Sequence, residues 1–230
     1  MRMRSPSPLR EAWRSRWRLP AFRYLFLACL ALLAAMPVFF HWFFGYIEAR
    51  TGDRWSDPLL ERLPGRDVSW VVFFFLYSGV LLGLARLRAL PDRLLLAIQT
   101  YLGVNLLRVL SLSLIPLEPP VGYIPLQEPF VQLFTPGGTI ISKDLFFSGH
   151  VSTILAFYLA LPKGTARQYL LLCTVFVSIG VLLQHVHYTV DVLAAFLGTF
   201  LSYRVGVWVQ GVAGIWKWVD SSNSRVERSS

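Results

Sequence analysis

Cysteine is almost absent, with only Cys29 and Cys173 among 230 residues. Both lie inside apolar runs and lack metal-ligand spacing. The chain therefore has neither a disulfide scaffold nor a thiolate metal centre, and the two thiols read as small core hydrophobes. Acidic residues are also scarce, 13 against 22 Lys and Arg, for a net charge of +9 at pH 7. That excess clusters outside the apolar runs, so anionic lipid headgroups are the expected partners and nucleic acid is not. The apolar-polar alternation of a soluble sheet is missing, no internal repeat is visible, and no stretch is left over for a soluble domain.

What the chain has is hydrophobicity in long blocks, 55% of all residues. Runs of about 20 apolar residues match the roughly 30 Å hydrocarbon core of a bilayer at 1.5 Å rise per helical residue. Six such spans are expected, at 21–44, 68–85, 94–115, 145–161, 168–183 and 188–209. The fold class is all-α, a polytopic membrane protein with both termini cytoplasmic. A basic interfacial segment occupies 1–20, the six-span membrane domain 21–209, and a cytoplasmic tail 210–230. The first run is too long for a cleaved signal and lacks a small-residue cleavage site, so it reads as a retained span. Trp13 and Trp17, interleaved with Arg2, Arg4, Arg10, Arg14, Arg16 and Arg18, mark the first segment as an interfacial anchor.

Orientation follows from the loops, because short cytoplasmic connections are enriched in Lys and Arg. One face collects the amino-terminal arginines, Arg86, Arg88, Arg93, Lys163, Arg167, Arg204, Lys217, Arg225 and Arg228. The other collects loop 45–67, which shows no cationic excess, loop 116–143 and the corner 184–187. Loop 116–143 holds Pro116, Pro119, Pro120, Pro125, Pro129, Pro136, Gly137 and Gly138, so it is no single helix and is expected to line or cover a site. A bacterial inner membrane with the site facing the periplasm is the expected location, the lumen of Golgi or ER being the alternative.

The chemistry concentrates on that second face. His150 opens the fourth span in K-D-L-F-F-S-G-H, and His187 with Asp191 opens the sixth in H-Y-T-V-D. Spacing of four on a helix places the Asp191 carboxylate one turn from the His187 imidazole. A carboxylate there fixes the ring tautomer and frees the other nitrogen as a nucleophile, while a second imidazole protonates the leaving oxygen. Taken singly, a span-end histidine is more often interfacial or a hydrogen-bonded core residue. Two on one face, one of them braced, point to a site. His185 and His41 lack such context and read as structural or interfacial. Zinc or iron held by His150, His187 and Asp191 is allowed by ligand type, but no compact paired-histidine motif supports it.

The strings S-G-H at Ser148 to His150 and H-Y-T-V-D-V at His187 to Val192 resemble the signature pair of the sphingomyelin synthase family, a branch of the lipid phosphate phosphatase (PAP2) superfamily. Leu90, Pro91 and Asp92 resemble its Pro-Asp motif, and Arg108 through Leu114, Ile115 and Pro116 its arginine-to-Leu-Pro motif. Val151 stands where the family usually has Thr, and Ser142, Lys143 and Asp144 replace a Cys-Gly-Asp run, only the aspartate matching. The Lys-and-Arg motif of the wider superfamily is not found, and Gly180 and Val181 stand in place of its Ser-Arg. A phosphomonoester carries nearly two negative charges and calls for several cations, whereas a diester carries one. With only Arg108 and Lys143 nearby, a phosphodiester headgroup is the expected substrate.

The resemblance implies headgroup transfer through a phosphohistidine, from a glycerophospholipid donor to ceramide or a diacylglycerol-type lipid, or to water as in a phospholipase C. His150, His187 and Asp191 are then catalytic, with Arg108, Lys143, Asp144, Ser148, Gly149 and Tyr188 as substrate-binding candidates. Ser148 reads equally as a helix cap, Gly149 as a residue that lets backbone amides approach phosphate, and Asp144 as a residue at the site mouth or a solvated loop carboxylate. No cofactor is expected, imidazole and guanidinium supplying the electrostatic stabilisation, and homo-oligomerisation is left open. The competing readings are a PAP2-type phosphatase acting on phosphatidate or isoprenyl diphosphate, and a non-catalytic scaffold or transporter.

Overall fold

Three helices begin on proline, whose fixed φ and missing N–H suit a helix's first turn: α1 (Pro8–Trp17), α2 (Pro20–Glu48) and α4 (Pro91–Leu114). With α3 (Ser69–Leu87), α5 (Gly149–Ala160), α6 (Thr165–Leu183) and α7 (Thr189–Val212) they make seven α-helices among the described residues. The computed structural model describes residues 8–126 and 141–215. Arg2, Arg4, Pro129, Pro136, Gly137, Gly138, Lys217, Arg225, Arg228 and most of the expected tail lie outside the described residues. Among the described residues there is no strand, only an isolated bridge between Asp53 and Leu117 and a 3-10 turn at Leu60–Arg62.

Among the described residues five helices, α2, α3, α4, α6 and α7, are long and apolar enough to cross a membrane. They fit a multi-pass integral membrane protein, with bounds close to those expected from the sequence. At the fourth expected span, 145–161, the helix is α5, with 12 residues, about 18 Å long at helical rise and by itself short of a roughly 30 Å core. Residues 141–148 enter it as non-helical chain, and Leu161 leaves it in an extended conformation because the following Pro162 disfavours the α region.

α3 packs on α6, α4 on α7, and α5 sits among all four, while α2 lies along α4 and scarcely touches α3. Val72, Ile154, Leu170, Cys173 and Val177 form the fully covered centre. Outward, α7 exposes Leu193, Leu197, Leu201, Val205 and Trp208, a surface suited to lipid and not to water. Lipid gives helices no hydrophobic reason to associate, so close approach at small residues matters more. A Cβ on Gly180 of α6 would lie 2.5 Å from Val72 of α3.

The bundle has two distinct ends. At one, the Arg66 N–H donates to the Leu183 carbonyl (2.9 Å), Ile124 to Gln184 (3.0 Å) and Asp53 to Pro116 (3.0 Å), gathering the three loops that the sequence grouped together. At the other, the Trp13 indole donates to the Arg88 carbonyl (2.7 Å), Arg16 pairs with Asp92 (2.5 Å), and Arg93 donates to the Ala160 carbonyl (3.0 Å). Asp92 of the Pro-Asp motif thus belongs to the end away from the histidines.

Candidate active site

Three successive carbonyls explain the shape of the segment entering α5. Leu145 accepts from His187 Nδ1 (2.9 Å), Phe146 from Ser111 Oγ (2.8 Å), and Phe147 from Arg108 Nε (3.0 Å). Side chains of α4 and of the α7 start therefore satisfy backbone groups that a helix would otherwise have satisfied. Non-helical chain persists at membrane depth only under such cover. Ser148 then caps α5, its hydroxyl accepting weakly from the Val151 N–H (3.5 Å), and its own N–H donates to the Asp191 carbonyl (3.4 Å).

The two helix starts bring His150 and His187 together, with ring centroids 6.4 Å apart and planes at 65°. A carbonyl oxygen only accepts, so the Nδ1 of His187 carries the proton and Nε2 holds the free lone pair. Asp191 Oδ2 lies farther from the same Nδ1, at 3.4 Å, and accepts the Tyr188 N–H at 2.9 Å. The carboxylate stands one turn away as its spacing implies, but the nearer partner of the ring is the Leu145 carbonyl. Asp191 Oδ1 is buried with no hydrogen-bond partner. His150 packs edge-on against Phe73, centroids 6.0 Å apart.

Arg108 is 7% exposed. Its guanidinium bonds the Phe147 carbonyl, Asn105 Oδ1 (3.2 Å) and the Asp144 carboxylate. Gly149 is where it passes: a Cβ there would lie 2.8 Å from both Cζ and Nη1 of Arg108. Glycine at 149 thus makes room for the guanidinium beside the α5 start, a different use from the amide approach expected of it.

Arg108, Asp144, Gly149 and His150 wall the polar end of a cavity of about 470 Å³. Its remaining lining includes Asn105, Thr153, Tyr77 and Tyr101 and then the apolar Met36, Pro37, Phe40, Leu76 and Val80. From Arg108 to Tyr101 it descends seven residues of α4, roughly 10 Å. His187, 3% exposed, is not part of that wall. Among the described residues no group of three His, Cys, Asp or Glu side chains is arranged as a metal needs.

Two substrate-binding candidates are held by partners from distant loops. The Lys143 ammonium is held by Glu118 at 2.8 Å and by the Arg50 carbonyl, and its backbone N–H donates to Glu48 (2.6 Å). The hydrogen bond from the Lys143 ammonium, against the opposing effect of burial, holds the Glu118 carboxyl below its usual range. Tyr188 is 1% exposed, its hydroxyl donating to the Glu118 carbonyl (2.9 Å) and accepting from Trp55 N–H (3.2 Å). Both residues tie loops together. Ser148, fully buried, serves as a cap. His185 is structural, its Nδ1 donating to the Val121 carbonyl (2.8 Å) from a backbone φ of 53°, and His41 is exposed on α2.

Sequence reasoning missed Asp57. Its carboxylate accepts the Thr189 N–H (2.6 Å) and hydroxyl (3.0 Å) while also accepting N–H groups of Leu59 and Leu60. It therefore caps α7 from a distant loop and holds His187 in place. Burial alone would raise its pKa, but these hydrogen bonds outweigh burial and keep the carboxyl below its ordinary value. Its place before Pro58 signals a local turn. Nothing local signals the contact with Thr189. Glu48, whose carboxylate gathers Ser142 and Lys143 N–H groups at 2.6 Å, was equally invisible.

No curated protein and no solved structure matches the chain. One family model, described as PAP2 superfamily C-terminal, matches residues 143–208. That stretch contains Asp144, Ser148, His150, His187 and Asp191 but not Arg108. The match supports the PAP2 superfamily, whose members are phosphatase- and phosphotransferase-type lipid enzymes.

Proposed function

We propose that the chain is a membrane phosphotransferase that moves the headgroup of a glycerophospholipid, of phosphocholine or phosphoethanolamine type, to ceramide or a related lipid hydroxyl, or to water. The observation that carries this reading is the pairing of two imidazoles, centroids 6.4 Å apart, beside a single guanidinium. In the first step His187 Nε2 forms a bond to phosphorus while the bond to the diacylglycerol oxygen breaks and His150 supplies its proton. In the second, His150 removes the proton of the acceptor hydroxyl, the new P–O bond forms and the N–P bond breaks. The Leu145 carbonyl keeps Nδ1 protonated, and Asp191 stabilises the imidazolium-like ring that forms on attack.

Arg108 is the group placed to neutralise the phosphoryl oxygens, and it does so by exchanging Asp144 for substrate. One guanidinium matches the single charge of a diester better than the double charge of a monoester. The phosphoryl group enters from the cavity past His150 and opens the contact between the two rings, while the apolar lining toward Met36 and Val80 accommodates acyl chain. The site would face the periplasm, or an organelle lumen.

Incubating purified protein with labelled phosphatidylcholine and phosphatidylethanolamine, with and without ceramide, tests the proposal. Diacylglycerol release is expected, with the headgroup recovered on ceramide when it is present. Phosphate release from phosphatidate without diacylglycerol release from either diester would assign a PAP2-type phosphatase instead. Turnover of none of these lipids, by the wild-type chain as by its His150→Ala and His187→Ala variants, would favour the scaffold or transporter reading.

A further inference from the structure

The end away from the histidines carries a second feature, which the proposed reaction does not use. α1 folds back on the start of α2, with Trp13 and Trp17 each meeting Phe22 and Phe26 edge-on at centroid distances of 5.3 to 6.3 Å. Its rotation is fixed by two contacts: the buried pair of Arg16 with Asp92 at 2.5 Å, and the Trp13 indole on the Arg88 carbonyl at 2.7 Å. With Arg16 turned inward, Arg10, Arg14 and Arg18 follow one another at intervals of four and are all exposed, as one helical stripe requires. Trp13, Arg14, Trp17 and Arg18 enclose a groove of about 450 Å³. Glu11 is the one carboxylate on α1.

We propose that this groove binds the phosphate of an anionic glycerophospholipid from the bilayer leaflet at this end. Arg14 and Arg18, one turn apart, flank the phosphate, and the two indoles pack against the glycerol backbone. Guanidinium supplies paired donors to phosphate oxygens, and indoles favour the depth of the headgroups. A lipid is favoured over an acidic peptide because the indoles that wall the groove pack on Phe22 and Phe26 at the start of α2, a helix long and apolar enough to cross a membrane, so the groove stands at the end of a spanning helix. The assignment is independent of what the histidines do.

Native mass spectrometry of the full chain in detergent, titrated with phosphatidylglycerol or with phosphatidylcholine of the same acyl chains, tests it. Wild type should retain phosphatidylglycerol preferentially. Exchange of Arg14 and Arg18 for Gln together should weaken that retention by about thirtyfold, the loss of two near-surface cations, while the thermal midpoint stays unchanged. The same double exchange at Lys163 and Arg204, both exposed and outside the groove lining, removes equal charge and should change retention by less than about threefold, because no donor to the bound phosphate is lost. Lys at 14 and 18 should give an intermediate loss, keeping charge but not the planar fork. Equal losses in both double variants, no loss in either, equal retention of the two lipids by wild type, or retention of an acidic peptide in place of phosphatidylglycerol would each overturn the proposal.

Discussion

The starts of α5 and α7 each present one imidazole, yet they are built differently. α5 is capped locally, by Ser148 immediately before Gly149, and its special feature is the space that glycine leaves for Arg108. α7 is held from afar: Asp57 caps Thr189, Glu118 holds the Tyr188 hydroxyl, and Leu145 orients His187. The side-chain cap of α5 thus comes from the residue just before it, whereas α7 adds holds from distant loops to its local contact between Asp191 and the Tyr188 N–H. Damage at the α5 start should therefore act mainly on substrate handling, and damage at the α7 start on both ring orientation and stability.

The largest expected effect breaks the pairing outright. His187→Ala should lower diacylglycerol release from phosphatidylcholine by about a thousandfold or more, and His150→Ala by roughly a hundred- to ten-thousandfold. A phosphohistidine trapped under alkaline quench in the His187 variant would move the nucleophile to the other ring. Next comes Gly149→Ala, whose methyl meets the Arg108 guanidinium. Displacing that group should cost on the order of a hundredfold in turnover, with the helical circular-dichroism signal retained. Unchanged kinetics there would mean that Arg108 does not need its observed position.

Asp191→Asn sharpens the contrast between carbonyl and carboxylate at His187. Because Leu145 already sets the tautomer, turnover should fall by only about tenfold, well short of losing the ring. A loss as large as that of His187→Ala would make the carboxylate the decisive partner. The smallest effect is Asp57→Ala, expected to cost about 1 kcal/mol of thermal stability, the size of a lost helix cap. Since folding lowers the Asp57 pKa, its contribution is complete above the ordinary aspartate value and is lost as pH falls through the lowered one. The gap in melting temperature between wild type and variant should accordingly be constant near neutrality and close in acid below the ordinary value of 3.8.

Much of the molecule was legible because periodicity and hydrophobic length report directly on helices in a bilayer. Five of the six expected spans are long apolar helices, and the loop grouping places His150 and His187 at one end, as it should. At 145–161 the helix is shorter than the apolar run because apolar content does not distinguish a buried irregular segment from a helix: Leu145 to Phe147 are apolar in side chain while their carbonyls are satisfied by Arg108, Ser111 and His187. The spacing of His187 and Asp191 correctly put them one turn apart but could not show the Leu145 carbonyl, because backbone acceptors leave no trace in residue identity. Lys143 and Tyr188 stand beside the motif residues in sequence, which does not show what holds them. Their actual partners, Glu118, Arg50 and Trp55, come from distant loops.

The approach of the Arg108 guanidinium to Gly149 also constrains how the chain can vary. Two positions on different helices occupy one volume, so neither can change freely while the other stays. A side chain at 149 forces the Arg108 guanidinium out of its place, and an exchange at 108 removes the steric demand for glycine. Among natural relatives the pair should be inherited as a unit, with arginine and glycine kept or lost together.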